Sequence, residues 1–159
     1  MDFRIGTGFD AHKFVPNRPL ILGGVNIPHE KGLLGHSDAD ALSHAISDAI
    51  LGAAALGDMG QYFPDTDLKW KDADSHDLLS ECVHMIKAKG WVIGNVDATL
   101  ICQKPKLAPF VKSMIRKLSE TLEVDESCVS VKAKTTEGMG YEGREEGLSA
   151  QAIVLLKKI

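Results

Sequence analysis

The chain has 159 residues, of which 44% are hydrophobic and 25% charged, which suits a single domain over 1–159. A formal net charge of −4 argues against a nucleic-acid partner, and the lack of an apolar run near the ~20 residues that cross a bilayer argues against a membrane protein. Three cysteines without paired spacing argue against a disulfide framework. Because the first residues also lack the pattern of a signal peptide, we expect a cytoplasmic protein.

Alternating and helical apolar patterns predict a β-hairpin, two helices, a strand, a third helix and two final strands. In chain order these elements lie at 20–27, 37–55, 78–90, 96–102, 109–122, 129–134 and 148–156. The polar segment between the first two helices, 57–74, is predicted to be a long loop inside the domain. This order is typical of an α/β fold (an α+β sandwich) in which a mixed β-sheet carries helices on one face.

The first predicted helix begins in a polar cluster. Ser37, with Asp40 three residues later, resembles a capping box. His36, Asp40, His44 and Asp48 recur every four residues, so neighbours in this series would share one helix face. The rest of the helix is largely apolar, and buried His and Asp side chains need polar partners. A bound metal ion is one possible partner for His44. The competing interpretation is that these polar residues form a solvated stripe on the helix surface.

Asp10 and His12 are a second pair of candidate metal ligands. In an extended segment, residues i and i+2 point to the same side, so both side chains can reach one ion. Zinc accepts both ligand types. An Asp-x-His pair is common, however, and also fits a protein surface. His36 lies beside the predicted helix start, where amides and the helix dipole favour an anion such as phosphate.

Two further segments could bind phosphate. Residues 133–140 follow a predicted strand and lead into a glycine-rich turn, where Thr hydroxyls and free amides can hold phosphate oxygens. Glu137 in this segment could ligate magnesium together with those oxygens. Residues 103–107 place two lysines and a proline at the end of the central strand. Each segment also fits a solvated polar loop.

Taken together, these motifs resemble the 2-C-methyl-D-erythritol 2,4-cyclodiphosphate synthase family, in the family's order and over nearly the whole chain. The matching motifs are Gly8-Phe9-Asp10-Ala11-His12, Gly35-His36-Ser37-Asp38-Ala39-Asp40 with His44-Ala45, Gly57-Asp58 with Phe63-Pro64-Asp65-Thr66-Asp67, Lys132-Ala133-Lys134-Thr135-Thr136-Glu137, and Gly143-Arg144 with Glu146-Gly147. Several motifs in order are far more specific than any one of them.

The resemblance implies a lyase of the non-mevalonate isoprenoid pathway. Such an enzyme cyclises 4-diphosphocytidyl-2-C-methyl-D-erythritol 2-phosphate to 2-C-methyl-D-erythritol 2,4-cyclodiphosphate and releases CMP, by metal-assisted phosphoryl transfer within the substrate. Matching residues imply that Asp10, His12 and His44 bind one Zn²⁺ per subunit. They also imply that Glu137 binds Mg²⁺ or Mn²⁺ together with the substrate diphosphate.

The resemblance also implies substrate contacts and catalytic residues. His36 and Thr135 would orient and stabilise the phosphates at the transition state. Asp10, Ala11, His12 and His36 would contact the substrate. The erythritol side would be lined by Ser37, Asp58, Met59 and Gly60, and closed by Phe63, Pro64, Asp65, Thr66 and Asp67. The cytidine diphosphate side would be contacted by Cys102, Gln103, Lys104, Pro105, Lys106, Leu107, Ala108, Lys134, Thr135, Thr136 and Glu137, with Tyr141 and Arg144 also at the ligand.

The family resemblance further implies a homotrimer whose sheets surround the threefold axis and whose active sites lie between subunits. Zinc ligands and cytidine contacts would then come from different chains. Phe9, Arg144 and Glu146 would lie around the axis, where a central cavity could accept an isoprenoid diphosphate.

Two other functions fit the same residues. One is a zinc-dependent phosphodiester hydrolase that uses metal-bound water and yields a linear product. The other is a non-catalytic trimer that binds a nucleotide or an isoprenoid and holds a structural metal. Such a trimer would bind CDP without releasing CMP from the full substrate.

Overall fold

The structure is a computed structural model that describes residues 1–159. Its seven strands are β1 (Phe3–Pro16), β2 (Leu20–Leu22), β3 (Val25–Ile27), β4 (Lys31–Leu33), β5 (Trp91–Ile101), β6 (Val129–Lys134) and β7 (Gly147–Lys158). Five of them form one sheet in the order β4-β1-β7-β5-β6, and β2 pairs with β3 in a separate hairpin. Only β5 and β6 run parallel. The predicted hairpin and mixed sheet are therefore confirmed.

Five α-helices connect these strands. They are α1 (Ala41–Ala53), α2 (Met59–Tyr62), α3 (Ser75–Ala88), α4 (Val111–Leu122) and α5 (Gly140–Gly143), and short 3-10 turns lie at Leu68–Trp70, Ala108–Phe110 and Glu126–Cys128. None of these helices combines the length and the apolar character that crossing a membrane requires.

The three longer helices lie on one face of the sheet, as predicted. Helix α1 packs against β1, β7 and β5, α3 against β5, and α4 against β6. The opposite face leaves Ile5 73%, Phe9 54% and Ile153 54% exposed. These side chains share that face because Ile5 pairs with Leu155 and Thr7 with Ile153 in the antiparallel register of β1 and β7. One apolar sheet face therefore has no cover from its own chain.

Two glycines of β1 let α1 approach the sheet closely. A Cβ atom on Gly6 would lie 2.0 Å from the carbonyl oxygen of Ala49, and one on Gly8 would lie 1.9 Å from that of Ala45. Side chains alternate along a strand, so Asp10 and His12 lie on the same face of β1 as these glycines. The close packing thus brings α1 beside the two candidate ligands.

The start of α1 differs from the prediction. The helix begins at Ala41, and its N-cap is Asp40 rather than Ser37. Asp40 is fully buried, and its carboxylate accepts the Ser43 amide at 3.0 Å together with the amides of Gly23 and Gly24 at 2.9 and 2.8 Å. The carboxylate of Asp40 therefore anchors the turn between β2 and β3, whereas the four-residue spacing predicts that Asp40 shares a polar helix face.

The segment 57–74, predicted to be a long loop, contains regular structure. It contains α2 and the 3-10 turn Leu68–Trp70. Asp58 caps the first by accepting the Gln61 amide at 3.2 Å, and Asp67 caps the second by accepting the Lys69 amide at 3.0 Å. Side-chain caps of this kind hold short helical turns in a polar sequence.

Candidate active site

Three side chains converge between β1 and α1. One ligand atom each from Asp10, His12 and His44 lies within 4.8 Å of the other two. Asp10 Oδ2 is 2.8 Å from His12 Nε2 and 3.1 Å from His44 Nδ1. All three side chains are partly buried. The structure therefore brings together the three residues that the sequence predicted as a metal site.

The hydrogen bonds of His12 fix which ring nitrogen faces Asp10. His12 Nδ1 is 2.7 Å from the carbonyl oxygen of Leu34. A carbonyl can only accept, so Nδ1 carries the hydrogen and donates it. In the neutral ring Nε2 then lacks a hydrogen, so Nε2 is the nitrogen that can bind a metal on the Asp10 side, and it can donate to Asp10 only when the ring is protonated. Backbone carbonyls orient metal-ligating histidines in this way.

The pKa values at this cluster show that it favours positive charge. Burial opposes ionisation of Asp10, but the hydrogen-bonding and charge interactions with the His12 and His44 rings outweigh burial and lower the pKa of Asp10 to about 2. Burial would also lower the pKa of His12, yet its hydrogen bond to Asp10 and the charge of that carboxylate raise it. A carboxylate and two imidazoles in so small a space are stabilised by a cation among them. Two imidazole nitrogens and one carboxylate oxygen fit an open divalent metal site.

The cluster opens into a cleft of about 550 Å³. This volume is typical of a small-molecule site. The cleft is lined by Asp10, His12, Gly35, His36, Ser37, His44, Asp48, Met59, Gly60, Phe63, Pro64, Asp65, Thr66, Trp70 and Leu78. The predicted substrate residues Asp58 and Asp67 do not line it, since they cap the neighbouring turns.

His36 lies in this cleft but not at a helix N-terminus. Its Nε2 donates to the carbonyl oxygen of Asp67 at 3.0 Å. Three amides that follow it already have protein acceptors: Asp38 donates to Ala73 at 3.2 Å, Ala39 to the Ser37 hydroxyl at 3.2 Å, and Asp40 to Asp38 at 3.1 Å. The His36 ring, rather than the amides of a helix N-terminus, is therefore the group presented to the cleft, and a phosphate at this position stays a prediction.

A second cleft of about 630 Å³ lies beyond the ends of β5 and β6. It is lined by His29, Cys102, Gln103, Lys104, Pro105, Lys106, Leu107, Ala108, Ala133, Lys134 and Thr135. The structure thus brings together nearly all of the residues expected at a cytidine diphosphate. No residue lines both this cleft and the cleft at the Asp10–His12–His44 group.

The remaining predicted residues follow the second cleft in sequence. Glu137 is exposed and lies outside the Asp10–His12–His44 group, while the neighbouring Thr136 hydroxyl donates to the carbonyl of Met139. Arg144 pairs with Glu146 of its own chain, with Nε 2.9 Å from Oε2. A third hollow contains Ala11, Tyr141, Arg144 and Glu146.

Several residues that line the clefts were not identified from the sequence as contacts, among them Trp70, Asp48 and His29. Trp70 packs edge-on against Phe63 with ring centroids 5.0 Å apart, and so forms one wall of the metal cleft. Asp48 accepts the Met59 amide at 2.8 Å and ties α2 to α1. His29 lines the second cleft and packs against Phe14. Trp70 had a usable signal, as the one tryptophan in the polar segment 57–74.

Comparison with known proteins places this fold and site. The YgbB family model matches residues 3–157. The chain is 58% identical over 155 residues to 2-C-methyl-D-erythritol 2,4-cyclodiphosphate synthase of Shouchella clausii, with 98% of each chain covered. It is 56% identical over 156 residues to the synthase of Geobacillus thermodenitrificans, again with 98% of each chain covered.

Solved structures agree. A 2C-methyl-D-erythritol-2,4-cyclodiphosphate synthase in its CDP-bound form superposes with a TM-score of 0.89 at 38% identity, over 97% of this chain and 100% of that one. The bifunctional IspDF of Campylobacter jejuni gives a TM-score of 0.96 at 44% identity over 99% of this chain, which spans 43% of that longer protein.

Fold and site define an α/β protein with a candidate three-ligand metal site between a strand and a helix. The chain belongs to the YgbB family. The resemblance seen in the sequence motifs is therefore confirmed over nearly the full length.

Proposed function

We propose that this protein cyclises 4-diphosphocytidyl-2-C-methyl-D-erythritol 2-phosphate to 2-C-methyl-D-erythritol 2,4-cyclodiphosphate and releases CMP. The observation that carries the proposal is the convergence of Asp10, His12 and His44 at the wall of a ligand-sized cleft, in a chain that is 58% identical to a synthase of that name. Two imidazoles and a carboxylate suit zinc, with a fourth position open to substrate.

The reaction needs positioning and charge neutralisation more than a strong base. An oxygen of the 2-phosphate attacks the β-phosphorus of the same molecule. The bond from that phosphorus to the bridging oxygen breaks, and CMP leaves with the electron pair. A bound divalent cation supplies charge neutralisation for the approaching phosphates. The cleft around His36 and Ser37 would hold the erythritol end and keep the two phosphates in attacking distance.

The second cleft would hold the cytidine diphosphate end. Lys104 and Lys134 supply cationic groups there, and Thr135 supplies a hydroxyl. Glu137 follows directly and is exposed, so its carboxylate is free to share Mg²⁺ or Mn²⁺ with diphosphate oxygens. We assign Thr135 and His36 to the orientation of the phosphates from opposite ends of the substrate.

A homotrimer would join the two clefts. No residue lines both clefts of one chain, which supports a site that a second subunit completes. The uncovered face of β1 and β7, with exposed Ile5, Phe9 and Ile153, is the kind of apolar surface that a subunit interface buries. We propose that this face surrounds the threefold axis, with an isoprenoid diphosphate in the central cavity near Phe9, Arg144 and Glu146.

Phosphorus NMR of the product tests the activity. The purified protein is incubated with the diphosphocytidyl substrate, zinc and magnesium, and CMP release is followed alongside. Equimolar CMP and cyclic diphosphate support the proposal. A linear phosphorylated product would instead identify a phosphodiester hydrolase. Binding of CDP without any CMP release would identify a non-catalytic binding trimer.

A further inference from the structure

A partly buried chain of hydrogen bonds runs from Asp38 through Ser75 to His44, on the side of the imidazole that faces away from Asp10. Ser75 is the first residue of α3 and is fully buried. Its hydroxyl contacts the Asp38 carboxylate and lies 2.8 Å from His44 Nε2. These hydrogen bonds therefore connect the start of α3 to the Asp10–His12–His44 group.

The direction of each hydrogen bond follows from the donors available. A carboxylate can only accept, so the single hydroxyl hydrogen of Ser75 goes to Asp38. The Ser75 oxygen is then an acceptor toward His44, and His44 Nε2 must carry the hydrogen. The Ser37 hydroxyl, 3.1 Å from the same nitrogen, accepts the Ala39 amide and is a secondary acceptor. In the neutral ring His44 Nδ1 then has no hydrogen and lies 3.1 Å from Asp10 Oδ2, so a shared cation, not a hydrogen bond, would join these two atoms.

Asp38 is itself held firmly. Its carboxylate accepts the Ser75 amide and the Asp40 amide, both at 3.1 Å, and its own amide donates to the carbonyl of Ala73 at 3.2 Å. Three donors on one carboxylate fix its position, and charge makes each of these bonds stronger than a neutral one.

We propose that Asp38 and Ser75 are positioning residues that hold His44 as a metal ligand through Nδ1. The inference rests on the proposed metal site and deepens it. Carboxylates that act through the second nitrogen of a ligating histidine fix its tautomer and raise its basicity, and their loss typically costs 10–100-fold in metal affinity. Here the serine hydroxyl transmits the effect of the carboxylate.

Zinc affinity, measured by competition with a chromophoric chelator, tests the proposal. We expect Ser75→Ala to bind zinc about 10–100-fold more weakly than wild type, and Ser75→Thr, which keeps the hydroxyl, to recover most of the affinity. Ser47→Ala is the matched control, because Ser47 is also a fully buried serine, and its hydroxyl bonds to the carbonyl of Ser43 at 2.9 Å and to the Cys82 thiol instead of to His44.

A double variant separates a relay from two independent effects. Asp38→Asn keeps the side-chain shape and should weaken zinc binding by itself. If Asp38 acts through Ser75, then Asp38→Asn combined with Ser75→Ala loses no more affinity than Ser75→Ala alone. Fully additive losses would overturn the relay, and so would wild-type affinity in Ser75→Ala. Should Ser75→Ala not fold, Asp38→Asn with wild-type zinc affinity overturns the relay. Failure of the wild type itself to bind zinc would overturn the metal site as well.

Discussion

The backbone of Gly8 lies so close to α1 that a Cβ atom there would be 1.9 Å from the carbonyl oxygen of Ala45. Ala45 directly follows His44, so this contact sets the distance between the helix and the ligands on β1. Gly8→Ala must push α1 outward. We expect a loss of about 1–3 kcal/mol in the free energy of unfolding and weaker zinc binding, measured by denaturant titration and chelator competition.

Gly52→Ala is the control for this prediction. Gly52 is an exposed glycine in α1, and a Cβ there would meet only the carbonyl oxygen of Thr7, at an ordinary 3.9 Å. Alanine is the better helix former, so this variant should gain up to about 1 kcal/mol. Equal stabilities of the two variants would contradict the packing argument.

Removal of His44 should empty the metal site. His44→Ala leaves one imidazole and one carboxylate, and we expect zinc affinity to fall by more than about 100-fold and CMP release to stop. Elemental analysis of the purified variant measures the bound zinc. His84→Ala is the control, since His84 is exposed and pairs only with the neighbouring Glu81. A zinc-loaded, active His44→Ala protein would show that the ligands have been misassigned.

The raised pKa of Asp48 predicts how the free energy of unfolding depends on pH. Burial raises the pKa of Asp48, only partly offset by the hydrogen bond from the Met59 amide. A raised pKa in the fold means that the protonated form is favoured there, so the contribution of Asp48 to stability is full below the unfolded value of 3.8 and is lost as pH rises through the folded pKa. Asp48→Asn should therefore be more stable than wild type at pH 7.

The measurement is urea unfolding of the metal-free proteins, in EDTA, across the pH range. The stability difference between Asp48→Asn and wild type should shrink as pH falls and vanish below 3.8. A difference that stays constant over this range would show that the carboxyl charge is not its cause.

Glu137 should couple magnesium to nucleotide binding. If its carboxylate and the diphosphate share the ion, magnesium should tighten CDP binding by about tenfold, and Glu137→Ala should remove most of this effect. Calorimetry with and without magnesium measures it. Glu120→Ala serves as control, because Glu120 is exposed on α4, away from both clefts. An undiminished magnesium effect in Glu137→Ala would count against a second metal at this position.

The sequence predicted the site best where the candidate functional residues lie in short motifs. Residue types and spacing indicated Asp10 with His12, and separately His44, as candidate ligands. The family resemblance joined them into one set, and the structure brings the three together. The strands 96–102 and 129–134 were also found, because one buried face gives clear alternation there. The longest strand, β1, was missed as an element, because Gly6 and Gly8 replace the apolar side chains that alternation requires.

The errors share a physical origin in long-range contacts. Ser37 and Asp40 suited a capping box, but the amides of Gly23 and Gly24 settle which residue caps α1. Asp38 and Ser75 are far apart in sequence, and only the packing of α3 against α1 makes them neighbours of His44. No local pattern could have shown that relay.

The separation of the two clefts has a consequence for mixtures of inactive proteins. His44 lines only the cleft at the Asp10–His12–His44 group and Thr135 only the second cleft, so His44→Ala and Thr135→Ala alter different clefts. If the proposed homotrimer forms its sites between subunits, the intact cleft of one variant can meet the intact cleft of the other. Random co-assembly in equal amounts restores about one quarter of the wild-type sites. The inactive His44→Ala and Thr135→Ala proteins, unfolded together and refolded, should regain activity that neither shows alone. A site contained within one chain would stay inactive in every mixture.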